Sequence, residues 1–179
     1  MNTRRRVLPD GTVLLVRSGI ADDAPDILEY VDAISRETNF LSFGPDEFGY
    51  TLLQERAIIR EYEAADNRLL LVGKVGDALV AMLTFGGGPR PRNRHTGEFG
   101  ISVRRAYWGR GIASALIDSL LDWARASAVI TKINLRVRTD NARAIALYER
   151  KGFIIEGTIS RDIRIGDRYH HHHVMGLEI

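Results

Sequence analysis

Val103-Arg104-Arg105-Ala106-Tyr107-Trp108-Gly109-Arg110-Gly111-Ile112-Ala113 joins a segment that reads as a strand to one that reads as an amphipathic helix. Glycine has no Cβ, so Gly109 and Gly111 let a ligand come close to the backbone. The first N–H groups of a helix have no partner inside it, and the helix dipole favours an anion at that end. The pattern therefore predicts that Gly109, Arg110, Gly111, Ile112, Ala113 and Ser114 cradle a pyrophosphate. A tight strand-to-helix turn without a ligand uses the same glycines, so the run alone leaves both readings open. Two nucleotide-binding classes are disfavoured by what is missing. Ser114 stands where a dinucleotide fingerprint has its third glycine, and the Lys-Ser/Thr of a P-loop is not there.

Outward from this run the chain reads as seven strands and four helices. Thr12 to Arg17 is apolar and β-branched, a strand. Asp22 to Glu37 places Ile27, Tyr30, Val31 and Ile34 at helical spacing. Pro45 to Ala65 reads as a second helix. Arg68 to Val75 and Ala78 to Phe85 are strands around the turn Gly76-Asp77. Thr96 to Val103 is a strand, and Gly109 to Ala126 is a helix with Ile112, Leu116, Leu120 and Trp123 along one stripe. Lys132 to Arg138 alternates as a strand. Asn141 to Lys151 is a short helix closed by Gly152. Phe153 to Ile165 and Arg168 to Ile179 form a last hairpin about Gly166-Asp167. The implied fold class is α/β (α+β): a mixed, mostly antiparallel seven-stranded sheet with helices on both faces. At its centre, residues 96–138 make one right-handed parallel β-α-β crossover.

The 179 residues are 45% hydrophobic and 27% charged, with no cysteine and a formal net charge of +2. That balance is ordinary for a globular protein and suits one domain over 1–179. The missing cysteine excludes disulfides, thiolate metal sites and a cysteine nucleophile. So small a charge gives no argument for nucleic acid. No apolar run is long enough to cross a bilayer, and Pro9-Asp10-Gly11 interrupts the basic N-terminus before a signal core can form. The expectation is a cytoplasmic protein that binds no membrane.

A second run raises the specificity. Asn141-Ala142-Arg143-Ala144-Ile145-Ala146-Leu147-Tyr148-Glu149-Arg150-Lys151-Gly152-Phe153 places Asn141, Ala144 and Tyr148 on one helix face, with a small residue between two polar ones. A capped helix with a core tyrosine gives the same pattern, and Asn141 can serve as cap in either case. Together the two runs resemble motifs A and B of the Gcn5-related N-acetyltransferase (GNAT) superfamily. Gly111 and Ala113 match the last two fixed positions of motif A. Trp108 stands where Arg or Gln is usual, which removes a side chain but leaves the backbone donors. Every fixed position of Asn-x-x-Ala-x-x-Leu-Tyr-x-x-x-Gly-Phe is present, and the final hairpin is similar to that of small members of the family.

The resemblance implies acetyl transfer from acetyl-CoA, as co-substrate, directly to an amine acceptor. It places the thioester beside Ile101, Ser102 and Val103, with backbone N–H groups facing the carbonyl oxygen. Asn141, Ala144 and Tyr148 then lie along the cofactor. Tyr148 is the expected proton donor to the leaving thiolate, because a phenol is neutral at pH 7 and still donates. Glu98 is the expected base, on the same strand face as Gly100 and Ser102 unless a bulge intervenes. Glu37 is the rival carboxylate, since the loop after the first helix lines the acceptor site in this family. The loops at 37–44 and 165–172 are expected to flank the thioester, with Glu37, Asp46, Glu47 and Asp167 as an acidic rim. That rim favours a small cationic acceptor such as an amino acid or a polyamine. Protein N-termini, or a silent acyl-CoA sensor, are the alternatives. A homodimer is left open.

Two conspicuous runs carry no role in this reading. Arg90-Pro91-Arg92-Asn93-Arg94-His95 precedes the strand that the phosphate loop follows, so a strand's length of roughly 26 Å separates them. His170-His171-His172-His173 alternates between the two faces of a strand, and no spaced carboxylate or cysteine completes a metal-ligand set.

Overall fold

The structure is a computed structural model that describes residues 3–179. In chain order the strands are β1 (Arg4–Val7), β2 (Val13–Ser18), β3 (Arg68–Val75), β4 (Ala78–Gly87), β5 (Thr96–Val103), β6 (Lys132–Arg138), β7 (Ile154–Ile165) and β8 (Arg168–Glu178). The helices are α1 (Ala24–Glu37), α2 (Leu52–Ala64), α3 (Ile112–Ala126) and α4 (Ala142–Arg150). All eight strands form one sheet in the order β1-β2-β3-β4-β5-β6-β8-β7. Only β5 and β6 run parallel, and α3 crosses between them.

The sheet has one strand more than its sequence pattern suggests. β1 is three arginines and a valine at the sheet edge, so it carries no hydrophobic period. Ion pairs hold it instead: Arg4 meets Asp122 and Arg6 meets Asp118, both on α3. Charged residues are a common way to blunt an exposed edge. The second correction concerns α2, which starts at Leu52 rather than near Pro45. Its start is a capping box, with Thr51 Oγ1 accepting from Gln54 N–H and Gln54 Oε1 accepting from Thr51 N–H. Residues 38–51 are a loop that packs Phe43 against Phe48, and Phe48 edge-on against Tyr50.

Each sheet face builds its own core. Leu71, Leu83, Phe85, Phe99, Leu135 and Val137 face α3 and α4, meeting Ile112, Leu116, Leu120 and Tyr148. Leu70, Val72 and Leu79 face α1 and α2, meeting Ile27, Tyr30, Ile34 and Ile59. Full burial of such a side chain stabilises by about 1.5–3 kcal/mol. Among the described residues no helix is long and apolar enough to cross a membrane.

Gly97 marks the tightest approach at the start of β5. A Cβ there would lie 2.3 Å from the Gly86 carbonyl oxygen and 2.6 Å from Phe85 Cζ. Backbone cannot yield as a flexible side chain does, so Gly97→Ala is expected to destabilise the protein by about 1–3 kcal/mol, read from urea denaturation midpoints.

Candidate active site

The site begins where two strands part. β5 and β6 pair only from Thr96 with Lys132 to Glu98 with Asn134. Beyond that rung β6 stays with β8, and β5 stays with β4 as far as Val103. The bonds flanking the β4–β5 ladder, Gly88 N–H to Thr96 O and Arg104 N–H to Val80 O, set its phase. In an antiparallel ladder alternate residues bond to the same neighbour. Even-numbered residues of β5 therefore bond to β4, and Phe99, Ile101 and Val103 turn their backbone groups into the splay. Pairing with β4 is continuous through Gly100, so no bulge alters the phase. A cleft of about 1560 Å³ runs through the opening and reaches residues on both faces of the sheet.

On the α3–α4 face the cleft meets the glycine loop at Gly109 and Gly111. Gly109 and Gly111 have φ of 82° and 85°, left-handed values that suit glycine. Gly111 caps α3, whose first internal bond runs from Ala115 N–H to the Gly111 carbonyl. The N–H groups of Ile112, Ala113 and Ser114 thus lie in the unpaired first turn. Trp108 is pinned by its Nε1–H, which donates to the Val103 carbonyl at 2.6 Å. The guanidinium carbons of Arg105 and Arg143 stand 5.7 and 5.4 Å from the centre of its ring. Arg143 lines the cleft and escaped the sequence reading, which treated that position as variable. Arg110 does not line the cleft. Its guanidinium lies 3.2 Å from Asp10 and stacks over Tyr107.

The start of α4 closes this side. Asn141 Oδ1 accepts from Ala144 N–H at 3.2 Å, so Asn141 is the helix cap and also borders the cleft. Ala144 and Tyr148 line it further in. The Tyr148 ring packs edge-on to Phe99 and Phe153, at 5.8 and 6.2 Å between centroids. Its hydroxyl has no hydrogen-bond partner among the described residues, and burial pushes its pKa up to about 12. It remains a phenol throughout the neutral range.

The α1–α2 face is polar along its floor. Glu98 lines the cleft, half-exposed, with Oε2 3.4 Å from Arg136 Nε. Ser102 also lines it, but its hydroxyl is hydrogen-bonded to Tyr30 at 2.9 Å and its backbone faces β4. Arg138 is buried, stacks over Phe40, and donates to the Asn39 carbonyl at 2.8 Å. Glu37, the rival carboxylate, does not line the cleft. It accepts from Arg104 Nε at 2.7 Å and from Arg105 N–H at 2.6 Å, tying α1 to the segment that leads into the glycine loop.

The expected acidic rim is likewise absent from the lining. Asp46 pairs with Arg36, Glu47 accepts from Gly44 N–H, and Asp167 pairs with Arg164. The loop from Thr38 to Phe43 does border the cleft, as do Asp162, Ile163 and His172 of the last hairpin. Among the described residues no group of three or more His, Asp or Glu is placed to hold a metal ion.

The family model described as Acetyltransferase (GNAT) family matches residues 31–153. The chain belongs to that family. A curated relative, the L-amino acid N-acetyltransferase AaaT of Escherichia coli K12, is 39% identical over 88 residues. That match covers 49% of this chain and 54% of the relative, so the chain spans about half the length of the curated protein. The crystal structure of a GNAT-family acetyltransferase from Streptococcus pneumoniae superposes with a TM-score of 0.90 at 28% identity, covering 93% of this chain and 99% of that one. The fold is shared with yncA of Salmonella typhimurium, solved with its cofactor acetyl-CoA, at a TM-score of 0.77 and 20% identity over 92% of this chain and 93% of that one.

The Tyr148 environment can be read directly. An absorbance titration of phenolate should show one group ionising near pH 12 that Tyr148→Phe removes. Its folded pKa lies above the ordinary value of 10.0, so its contribution to stability is full below pH 10 and declines as pH rises towards 12. Loss of a step near pH 10 in the variant would contradict this environment.

Proposed function

We propose that the protein transfers acetyl from acetyl-CoA directly to the primary amine of a small zwitterionic molecule of the amino-acid class. One observation carries the reading: a single cleft runs through the β5–β6 splay, from the α3 N-terminus and Tyr148 on one face to Glu98 on the other. A long cofactor entering on the first side would present its thioester to an acceptor on the second. The residues present fit that group. The first turn of α3 offers backbone N–H groups to the pyrophosphate, and Arg143 adds a positive charge nearby. Ile101 and Val103 offer N–H groups inside the splay, suited to a carbonyl oxygen that gains negative charge. Tyr148 is positioned to hand its proton to the departing sulfur. Asn141 sets the α4 backbone beside the cofactor, and Ala144 leaves room for it.

The acceptor class follows from the floor on the other face. Glu98, Asp140 and Asp162 lie there with Arg136 and Arg138, and Arg138 is already paired with Asp140. A zwitterion matches both signs: the carboxylates attract its ammonium and an arginine attracts its carboxylate. AaaT, named for L-amino acids, agrees with this preference. Glu98 is assigned to holding the ammonium. The domain is read as the whole of 1–179.

Gly111→Glu places a carboxylate against the pyrophosphate position, and the backbone there has φ of 85°. Calorimetry should show acetyl-CoA affinity reduced at least tenfold, with unchanged affinity removing the phosphate loop from the site. Steady-state rates across amino acids, polyamines, aminoglycosides and N-terminal peptides test the acceptor. Amino acids should give the highest kcat/KM. A clear preference for peptides over every small amine would overturn the assignment.

A further inference from the structure

His172 belongs to the histidine run that no part of this reading uses, yet it lines the cleft. Its position follows from register. Ser102 on β5 and Arg138 on β6 lie equally far beyond the last shared rung, Glu98 with Asn134. Arg138 pairs across the ladder with His172 on β8. His172 therefore lies on the sheet face that carries Glu98, one strand beyond β6, and borders the same cleft as Ile101 and Val103. The alternation that divides the run sends His171 and His173 to the other face, where His173 Nδ1 meets Thr158 Oγ1 at 2.9 Å.

The neighbouring strand is distorted where it reaches this histidine. Ile159 pairs with His172 and Ile163 with His170, so residues 160–162 bulge out opposite a single residue. Arg161 in that bulge has φ of 53°, a left-handed conformation that costs a non-glycine residue about 1–2 kcal/mol. Bulges of this kind re-aim side chains beside active sites. This one carries Asp162, whose Oδ2 lies 3.0 Å from His172 Nδ1. The pair is a close contact rather than an aligned bond, for Nδ1 is closed off from solvent without a well-directed partner. Nε2 is the nitrogen left for a ligand, with no hydrogen-bond partner among the described residues. The imidazole is 14% exposed, against 50% for the Glu98 side chain.

We infer that His172, oriented by Asp162, is the general base that takes the proton from the acceptor's ammonium. The inference rests on the acetyl-transfer reading and refines its acceptor side. The acceptor R–NH₃⁺ gives one proton to Nε2 and becomes R–NH₂. The amine lone pair forms the C–N bond as the C–S bond breaks, and the sulfur departs with the electron pair of that bond. The second nitrogen proton goes, through Tyr148, to the thiolate. His172 then releases its proton to solvent, so one amide, one thiol and one proton are formed.

Electrostatics suits the step. Burial first, then Arg138 and Arg136 of β6, lower the His172 pKa below its ordinary value, while Asp162 of β7 raises it. His170 on β8 and Asp140 after β6 also lie on this side, 3.9 Å apart. The balance leaves the ring neutral at pH 7 and ready to accept a proton. A neutral imidazole can take a proton from the acceptor and pass it on to solvent, which suits general-base work. Glu98, facing Arg136, remains a binding group for the ammonium.

The test uses the full chain, acetyl-CoA and the best amino acid of the acceptor panel, with rates measured from pH 5 to 9. Wild-type kcat/KM should rise with pH through an acid limb below about 6.5. His172→Gln should lose about 10²- to 10⁴-fold in kcat, lose that limb, and keep its affinity for acetyl-CoA by calorimetry. Asp162→Asn should move the limb to lower pH, because it removes the group that raises the His172 pKa. Glu98→Gln should raise KM and keep the limb. Histidine-ring NMR adds a readout independent of turnover: one resonance, absent in His172→Gln, should titrate below about 6.5 and lower still in Asp162→Asn. Wild-type kcat in His172→Gln, a limb lost only in Glu98→Gln, or His172 titrating above that value would overturn the inference. If the wild-type chain acetylates no amine, the acetyl-transfer reading fails first and this one falls with it.

Discussion

Parallel β5 and β6 share hydrogen bonds only as far as Glu98 and Asn134, and the rest of the site takes its shape from that early parting. A ladder continued to Val103 would use the N–H groups of Ile101 and Val103 on β6 and close the cleft. The sheet would then separate its two faces completely. Because the strands part, backbone donors that would normally be buried in a ladder are available to a ligand, in a region where unmet donors are costly. The surrounding fold keeps the strands apart. On one side Glu37 ties α1 to Arg104 and Arg105. On the other, β8 claims the whole length of β6, and Arg138 ties the loop after α1 to that strand.

The two faces contribute different chemistry. The α3–α4 side offers glycines, an unpaired helical turn that favours anions and a phenol kept protonated by burial. The α1–α2 side offers carboxylates, arginines and an imidazole. Trp108 illustrates how a change in side chain can preserve a function of position. It replaces the Arg or Gln usual at its place, but Val103 anchors its indole and two arginines stack on it.

Most of the fold was legible because its elements carry strong periodicity. The α3 stripe, the paired turns at Gly76-Asp77 and Gly166-Asp167, and the crossover through α3 all appear where the pattern puts them. β1 was not legible, since ion pairs to Asp118 and Asp122 on a distant helix hold it. The start of α2 is legible in Thr51 and Gln54, which spell out a capping box, although Pro45 offers a competing start signal. At the site, the glycine loop and the α4 face follow from local spacing. The engagement of Glu37 by Arg104 and of Arg110 by Asp10 depends on long-range packing, which no local spacing encodes. The closeness of His172 and Asp162 depends on a bulge whose left-handed residue is an arginine, where sequence patterns would look for a glycine.

The few rungs shared by β5 and β6 also make this seam the sheet's weakest internal joint. The eight strands would otherwise form one continuous plate; here it is two leaves, β1 to β5 and β6-β8-β7, bound by a short hinge and by the covering helices. A molecule that bonded to both leaves would work as a rivet across the joint. At a free concentration one hundred times its dissociation constant, such a ligand adds about 2.7 kcal/mol to stability. The added rigidity would be concentrated along one line through the middle of the sheet, which makes mechanical stiffness there a report on occupancy.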